Sequence, residues 1–422
     1  MQYEKEVMEQ SEERAILVAA GEDRQIEELS RLAWTLGVEV AGYMEQNRRD
    51  GKGYLGKGKR AELATLVTDK TAGIVITDDE LSASQSRLLE KDAGAPIVDR
   101  TELIIRIFES HARDRASRLE VELADLEYRL PRIKGRNVSL SRLGGGVGTR
   151  GPGEQQLEYD RRVIRERIDI INRRLRQEKS ARETQGARLK RGGPPMVSLV
   201  GYTNAGKTTI LNALSGAGRS TRDRLFETLE TTTRLVSGEE SGSPDFALTD
   251  TVGFIRKLPT QLVHSFTSTL EAARDADILV LCADASSVSL EDEISTVRRT
   301  LSELSSPDTE KDGSSAQSTI LCLNKTDLLS DIDREKVSNL YPDAVTISAT
   351  EDVGDLLNAI HSEISSGRER MEILIPHSEY GLAGRLYGLA EIHASRHTPE
   401  GVLLDVSLPN TIAFKYSPFK VS

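Results

Sequence analysis

The chain has 422 residues, of which 37% are hydrophobic and 29% are charged, and its formal net charge is −11. That length exceeds what one hydrophobic core usually organises, so about two to four domains are expected. No apolar run is long enough to cross a bilayer, the charged N-terminus is unlike a signal peptide, and the two cysteines have no metal-binding spacing. We therefore exclude a membrane-spanning protein and expect a cytoplasmic one with buried thiols.

Residues 1–112 alternate between short apolar runs and amphipathic stretches. The runs AILVAA, VEVAGYM, AGIVITDD and APIVD are typical of strands, and IEELSRLAWTL is typical of a helix. This rhythm predicts an N-terminal α/β domain with a mostly parallel sheet. The segment GKGYLGKGKRAEL lacks phosphate-loop spacing, so we interpret it as a turn that leads into a helix.

Residues 113–191 are predicted to form a basic helical hairpin. Two sets of apolar residues recur at helical spacing: Leu119, Leu123, Leu126 and Leu130, then Leu157, Ile164, Ile168, Ile171 and Leu175. From His111 to Arg191 the chain has 21 Lys and Arg against 12 Asp and Glu, a balance of +9 in an acidic protein. A long glycine-rich loop, KGRNVSLSRLGGGVGTRGPGE, joins the helices, and GARLKRGGPP is interpreted as a linker.

Strands and helices alternate again over residues 196–367, which predicts a doubly wound sheet. The strand-like runs are MVSLVGY, DFALTD, DILVLCAD, STILCLNK and AVTISAT. Residues 370–422 are expected to form a small α+β domain with strand EILIP, helix EYGLAGRLYGLAEIH and strand GVLLDVSLP. The fold class is therefore α/β, with a central domain that resembles Ras.

The strongest motif is a phosphate-binding loop that directly follows the strand MVSLV and opens a helix. Its residues are Gly201, Tyr202, Thr203, Asn204, Ala205, Gly206, Lys207 and Thr208. Backbone N–H groups of such a loop surround phosphates, the lysine reaches the β- and γ-phosphates, and the threonine hydroxyl ligates Mg²⁺. Alone, this motif does not separate a GTPase from an ATPase or a small-molecule kinase.

Three later motifs, each at a strand end, indicate guanine nucleotides. They comprise Asp250, Thr251, Val252 and Gly253; then Asn324, Lys325, Thr326 and Asp327; then Ser348, Ala349 and Thr350. The first suits a γ-phosphate sensor. The Asp327 carboxylate can accept hydrogen bonds from guanine N1–H and N2–H₂, whereas adenine would leave it unpaired. The third motif suits a loop whose backbone contacts guanine O6.

A second magnesium-binding hydroxyl is expected between the phosphate loop and Asp250. The candidate segment is Phe226, Glu227, Thr228, Leu229 and Glu230, with Thr228 as the ligand. The nearby run Thr231–Thr233 keeps that choice open. Phe254 stands where a catalytic glutamine would orient the attacking water, so slow hydrolysis is expected without a partner or a bound monovalent cation. Asn204 is a candidate K⁺ ligand, and Lys207, Thr228 and Gly253 are the candidate catalytic groups.

The glycine-rich loop and the nucleotide motifs together resemble those of a known family. LSRLGGGVGTRGPGEQQLEYDRR, followed by GYTNAGKTT, LFETLETTTR and DTVGFI, is similar to the HflX GTPases, and the similarity covers most of the chain. The resemblance implies GTP hydrolysis with Mg²⁺, and binding to the large ribosomal subunit and its rRNA. It also implies separation of ribosomal subunits under stress, and it suggests that the N-terminal region uses ATP. The basic hairpin and its loop, with Arg136, Arg142 and Arg150, are then the expected RNA contact. We expect a monomer.

Three alternatives differ in partner or reaction. The chain could be a GTPase for ribosome assembly or another structured RNA, in which the hairpin binds that RNA. It could be a signalling switch whose N-terminal half docks proteins. A metabolic kinase is disfavoured, because its substrate pocket would displace the intact NKTD and SAT motifs.

Overall fold

The computed structural model describes residues 14–135, 152–190, 194–216, 232–238, 245–257, 272–304, 317–366, 368–386, 390–409, 413 and 416–421. Two compact units are present, the first made mainly of residues up to Glu178 and the second mainly of residues from Lys179 onward. Among the described residues, no helix is both long and apolar enough to span a membrane.

The first unit contains a four-stranded parallel sheet in the order β2-β1-β3-β4. Its strands are β1 (Arg14–Ala20), β2 (Glu39–Gln46), β3 (Ile74–Thr77) and β4 (Ile97–Val98). Its helices are α1 (Ile26–Thr35), α2 (Lys57–Asp69), α3 (Ala83–Ala93) and α4 (Arg100–His111). The central strands are continuous apolar runs because both faces of a parallel sheet are covered. The predicted parallel sheet is confirmed, and Asp50–Tyr54 forms the predicted turn before α2.

Local side-chain hydrogen bonds start several helices of this unit. Ser82 and Gln85 form a reciprocal capping box at α3, and Asp99 accepts from the Glu102 N–H at α4. Such caps satisfy backbone N–H groups that have no partner within the helix. These local bonds therefore define where α3 and α4 begin.

Two helices, α5 (Arg115–Arg129) and α6 (Pro152–Lys190), form the predicted hairpin. Leu119 and Leu123 pack against Ile171. The ion pairs Glu122–Arg167 at 2.6 Å and Arg115–Glu178 at 3.9 Å show that the two helices run antiparallel. The glycine-rich residues 136–151 lie outside the described part of the chain.

The second helix of the hairpin extends further than expected at both ends. It begins at Pro152, inside the segment predicted as a loop, and proline is favoured in the first helical turn. It also continues through residues 186–190, which we predicted as a linker. That prediction was wrong because Ala, Arg, Leu and Lys are good helix formers and one glycine costs only about 1 kcal/mol.

The second unit contains a six-stranded sheet in the order β10-β9-β8-β5-β7-β6. Its strands are β5 (Met196–Gly201), β6 (Thr232–Val236), β7 (Phe246–Asp250), β8 (Ile278–Asp284), β9 (Ser318–Asn324) and β10 (Val345–Thr346). The associated helices are α7 (Lys207–Leu214), α8 (Leu290–Leu304), α9 (Asp331–Leu340) and α10 (Gly354–Ser366). All neighbouring strands are parallel except β6, which pairs antiparallel with β7. The doubly wound sheet is confirmed, but β6 was not predicted.

Two fully buried thiols lie in the core of this sheet. Cys282 and Cys322 are directly opposite each other on β8 and β9, and both are free. The hydrogen bond to the adjacent Cys282 thiol, together with burial, raises the pKa of Cys322. The interpretation of both cysteines as core thiols is confirmed.

The C-terminal residues form an antiparallel sheet in the order β11-β13-β12. Its elements are β11 (Arg368–Pro376), α11 (Tyr380–Leu386), β12 (Glu391–Thr398) and β13 (Gly401–Pro409). The predicted helix was wrong at residues 391–393, which belong to β12. A turn at residues 399–400 brings β12 beside β13, and this pairing overrides the local helical pattern.

Candidate nucleotide-binding site

A strand, a tight loop and a helix build the phosphate loop. Strand β5 ends at Gly201 and α7 begins at Lys207. Gly206 has a left-handed backbone with φ of 87°, and a Cβ there would collide with the side-chain amide of Asn324. Only glycine fits this position. The loop therefore presents the N–H groups of a helix N-terminus at the carboxyl edge of the sheet, which is an arrangement suited to anions.

The Lys207 ammonium is buried against its own loop. Its Nζ donates to the carbonyl oxygens of Gly201 at 3.1 Å and Tyr202 at 2.9 Å. Burial lowers the pKa of Lys207, although the Asp250 carboxylate opposes this shift. Two neutral carbonyls compensate a buried cation poorly, so a phosphate at this place would be a stronger partner.

Two oxygen-bearing side chains meet beside this lysine. The Thr208 hydroxyl donates to the Asp250 carboxylate at 2.7 Å, and Asp250 is the fully buried last residue of β7. Hydroxyl and carboxylate oxygens are ligands that Mg²⁺ prefers, often with water between metal and carboxylate. The donor set therefore fits a magnesium ion bound next to a phosphate.

The DTVG segment lies against the phosphate loop. A Cβ on Gly253 would lie 2.8 Å from Thr203 Cγ2 and 3.0 Å from Lys207 Nζ, so this contact requires glycine. The Thr251 hydroxyl donates to the Leu199 carbonyl at 2.7 Å and so braces β5. Phe254 is only 3% exposed, and its backbone bonds to Gly201 and Thr203. Its buried ring offers no polar group to a water molecule.

Asn324 joins two loops of the site. Its amide Nδ2 donates to the Ala205 carbonyl at 2.9 Å, and its Oδ1 accepts from the Ala349 N–H at 2.9 Å. The side chain is buried, so both bonds are shielded from water. Asn324 thereby fixes the phosphate loop relative to the Ser348–Thr350 loop.

The rest of the NKTD motif forms a short turn that leaves its aspartate open. The Lys325 backbone is left-handed, with φ of 65°, and its ammonium pairs with Asp284 at 2.7 Å. Thr326 Oγ1 donates to the Ile347 carbonyl at 3.0 Å. Asp327 is exposed. The scaffold is thus fixed by neighbouring residues while the Asp327 carboxylate is accessible to a base.

The structure brings together four of the five predicted segments, which lie at the carboxyl ends of β5, β7, β9 and β10. The fifth, Phe226–Glu230 with Thr228, lies outside the described residues. Thr233, from the alternative run, is in β6, and its hydroxyl is 2.9 Å from that of Thr249. Sequence reasoning missed Asp284, although an aspartate that ends the apolar run ILVLCAD could have indicated it.

This fold and site define a P-loop guanine-nucleotide-binding protein. Three family models match in chain order: GTP-binding GTPase N-terminal over residues 23–109, GTP-binding GTPase Middle Region over residues 111–189, and 50S ribosome-binding GTPase over residues 196–325. Many relatives share most of the chain. The chain belongs to the HflX family of GTPases, and it hydrolyses GTP.

Two relatives, both named GTPase HflX, illustrate this similarity. The one from Caldanaerobacter subterraneus is 43% identical over 89% of this chain and 86% of its own length. The one from Lacrimispora saccharolytica is 36% identical over 96% of each chain. Among solved structures, the chain is similar to a GTP-binding protein from Sulfolobus solfataricus in complex with GDP. That pair has 22% identity and a TM-score of 0.43, and the match covers 84% of this chain and 98% of the other.

Proposed function

We propose that this GTPase works in the cytoplasm as a monomer, binds the large ribosomal subunit through its rRNA, and splits or rescues ribosomes under stress. The match of residues 196–325 to a family described as 50S ribosome-binding GTPase supports the partner. The observation on which the proposal rests is the basic surface of α6, a helix whose other side packs on α5.

Five arginines of that surface are exposed, and they outnumber its exposed acidic residues Glu158, Glu166 and Asp169. The exposed arginines are Arg162, Arg165, Arg173, Arg174 and Arg176. Each guanidinium can neutralise an RNA phosphate and release a counterion, which favours binding to folded RNA. The glycine-rich loop that joins α5 and α6, with Arg136, Arg142 and Arg150, is proposed to extend this contact.

In the nucleotide site, the loop from Gly201 to Thr208 is proposed to bind the phosphates. The Lys207 ammonium exchanges its two carbonyl partners for phosphate oxygens, and its positive charge offsets the charge that develops during hydrolysis. The Gly253 N–H faces the γ-phosphate because Gly253 lies against Lys207 and Thr203. Thr228 is proposed to complete the catalytic groups.

Two cations are proposed for the same site. Thr208 and Thr228 would hold Mg²⁺ through their hydroxyls, and Asp250 would hold it through water. The magnesium ion neutralises phosphate charge when it is bound. Asn204, whose left-handed backbone has φ of 65°, would hold K⁺ beside the phosphates. This second cation would supply part of the stabilisation that an arginine finger gives in other GTPases.

Guanine is proposed to bind between the NKTD and SAT loops. The exposed Asp327 carboxylate accepts from N1–H and N2–H₂ of the base, and the Ser348–Thr350 backbone contacts O6. Asn324 and the Lys325–Asp284 ion pair position these loops.

The ribosomal part of the proposal is tested by co-sedimentation with large subunits and by GTP turnover with and without them. Turnover in K⁺ and in Na⁺ tests the proposed second cation. We expect large subunits to accelerate hydrolysis, with faster turnover in K⁺. Replacing Arg136, Arg142 and Arg150 with alanine should weaken binding and reduce its salt slope by up to about 3, because each lost phosphate contact removes about one. GTP binding should be unchanged.

The matched control replaces Arg298 and Arg299, two exposed arginines of α8, with alanine. These changes should leave subunit binding as in the wild type. An unaltered affinity and salt slope in the loop variant would remove the loop from the interface. Stimulation by precursor particles alone would replace the proposal with a role in ribosome assembly.

A further inference from the structure

Thr203, the third residue of the phosphate loop, has a hydroxyl that its own fold does not use. The residue is 7% exposed, and its backbone N–H donates to the Phe254 carbonyl at 2.8 Å. Its Oγ1 has no hydrogen-bond partner among the residues that the structure describes. A buried hydroxyl without a partner is unfavourable, because water would have satisfied it in the unfolded chain. This atom therefore favours a partner beyond the described residues, such as an oxygen of a bound phosphate.

The Thr203 side chain borders the place assigned to the γ-phosphate. A Cβ on Gly253 would lie 2.8 Å from Thr203 Cγ2 and 3.0 Å from Lys207 Nζ. Three groups therefore converge on one point: the Thr203 methyl, the Gly253 backbone and the Lys207 ammonium. The last two are the groups proposed above to meet the terminal phosphate of GTP.

The hydroxyl can reach this point without movement of the backbone. Methyl and hydroxyl share one Cβ, and a rotation of about 120° between staggered rotamers places the hydroxyl where the methyl now lies. The main chain is held meanwhile, because the N–H of Thr203 and the N–H of Phe254 are both bonded. A side-chain rotation is therefore the simplest way to give this oxygen a partner.

GTP hydrolysis also needs a polar group beside the γ-phosphate. Phe254 occupies the position of a catalytic glutamine, and its buried apolar side chain cannot bond to water or phosphate. We propose that Thr203 is a catalytic residue whose hydroxyl donates a hydrogen bond to the γ-phosphate of GTP and strengthens it as charge develops during hydrolysis. Thr203 keeps its proton throughout, and water attacks phosphorus to release GDP and phosphate. This inference rests on the phosphate-loop assignment made under the proposed function.

The test compares side chains that differ in one group. Thr203→Val keeps the branched shape but lacks the hydroxyl, and Thr203→Ser keeps the hydroxyl but lacks the methyl. Thr296→Val, at a threonine of α8 that is 8% exposed, is the control for the same substitution elsewhere in the same unit. Single-turnover GTP hydrolysis is measured together with the affinities for GDP and for a non-hydrolysable GTP analogue.

We expect Thr203→Val to slow hydrolysis about 100-fold or more, since loss of one donor to a developing charge costs about 100- to 1000-fold. Its affinity for the GTP analogue should fall, whereas its affinity for GDP should stay within about twofold, because GDP has no γ-phosphate. Thr203→Ser should hydrolyse GTP within about threefold of the wild type, and Thr296→Val should match the wild type.

Other outcomes overturn the proposal. Equal hydrolysis by the Val and Ser variants would show that the hydroxyl is not used. Thr203→Ala is the second variant without a hydroxyl; if both it and Thr203→Val lose GDP binding or fail to fold while Thr203→Ser does not, the hydroxyl only supports the loop. Lys207→Ala distinguishes a failure of the phosphate-loop assignment from a failure of the Thr203 proposal. If that variant binds GDP and hydrolyses GTP normally, the phosphate-loop assignment fails; if it is inactive and Thr203→Val is normal, only the role of Thr203 fails.

Discussion

The two parallel sheets of this chain use their carboxyl edges in opposite ways. Each has a point where the chain winds outward in both directions, between β1 and β3 in the first and between β5 and β8 in the second. Such points bind ligands in many α/β proteins. In the first sheet, the charged groups that follow the strands bond to one another. In the second, Lys325 and Asp284 also pair, but the Lys207 ammonium bonds to loop carbonyls, which a ligand can replace.

The first edge is closed by a buried ion network. Arg100 is 1% exposed and pairs with Asp78 and with Glu28, each at 2.8 Å. Burial raises the pKa of Asp78 even though the Arg100 guanidinium lowers it. By contrast, among the residues that the structure describes, the Lys207 ammonium on the second edge has two carbonyl oxygens as its hydrogen-bond partners. A charge at a strand end therefore indicates a ligand site only when its present partners bind it more weakly than the ligand would.

The largest predicted effect is a change of base specificity at the carboxyl edge of the second sheet. Asp327→Asn turns an acceptor pair into one donor and one acceptor, so GTP binding should weaken about 100- to 1000-fold while xanthosine triphosphate gains affinity. Titration with both nucleotides measures this. Thermal unfolding without nucleotide should match the wild type, because Asp327 is exposed. Full GTP affinity in the variant would show that the NKTD motif was misassigned.

The next effect concerns the first edge, where stability and not binding should change. Arg100→Met removes the guanidinium from the buried Asp78 carboxylate, while the Lys257 ammonium stays 3.0 Å from it, so the free energy of unfolding should fall by about 3 kcal/mol, the lower end of the range for a broken buried pair. GTP affinity of the folded variant should be unchanged. Chemical denaturation and nucleotide titration check the two statements.

An exposed ion pair is the matched control for that variant. Arg370 and Asp405 pair at 2.6 Å on the surface of the C-terminal sheet, and Arg370→Met should lower the free energy of unfolding far less than Arg100→Met does. Similar losses in the two variants would contradict the view that the first edge is held by its buried network.

Much of the fold follows from local pattern, and what was missed depends on tertiary pairing. The apolar runs gave β1, β3, β5, β7, β8 and β9, because a strand buried on both faces is a continuous apolar segment. Strand β6, by contrast, has alternate residues exposed and lies in a threonine run that also suits a loop. Strand β12 is mostly exposed and depends on its pairing with β13, so its sequence carries little apolar signal.

The site was predictable where a motif defines the chemistry. Gly206 and Gly253 are required by close contacts that the motifs imply, and Asn324 lies where a strand-end residue can reach two loops. The partner of Lys325 was not predictable, because Asp284 lies on another strand and belongs to no motif. The segment that contains Thr228 lies outside the described residues, so its role stays a prediction.

The smallest predicted effect lies in the core beneath the second sheet, where His361 should make stability depend on pH. The side chain is 7% exposed and packs edge-on against Phe246, with 5.6 Å between ring centroids. Its Nε2 has no hydrogen-bond partner among the described residues. Burial lowers the pKa of His361, although the negative charge of Glu391 opposes the shift.

The sign of this effect follows from proton binding. Because the folded pKa lies below the ordinary value of about 6.5, the unfolded chain binds a proton first as the pH falls. The contribution of neutral His361 is therefore complete above that value, decreases as pH falls through it, and levels off below the folded pKa. His361→Leu removes the imidazole that titrates and leaves an apolar side chain in the core. Denaturation of both proteins between pH 5 and pH 8 should show a steeper loss toward acid in the wild type, and parallel curves would mean that His361 titrates alike in the folded and unfolded states.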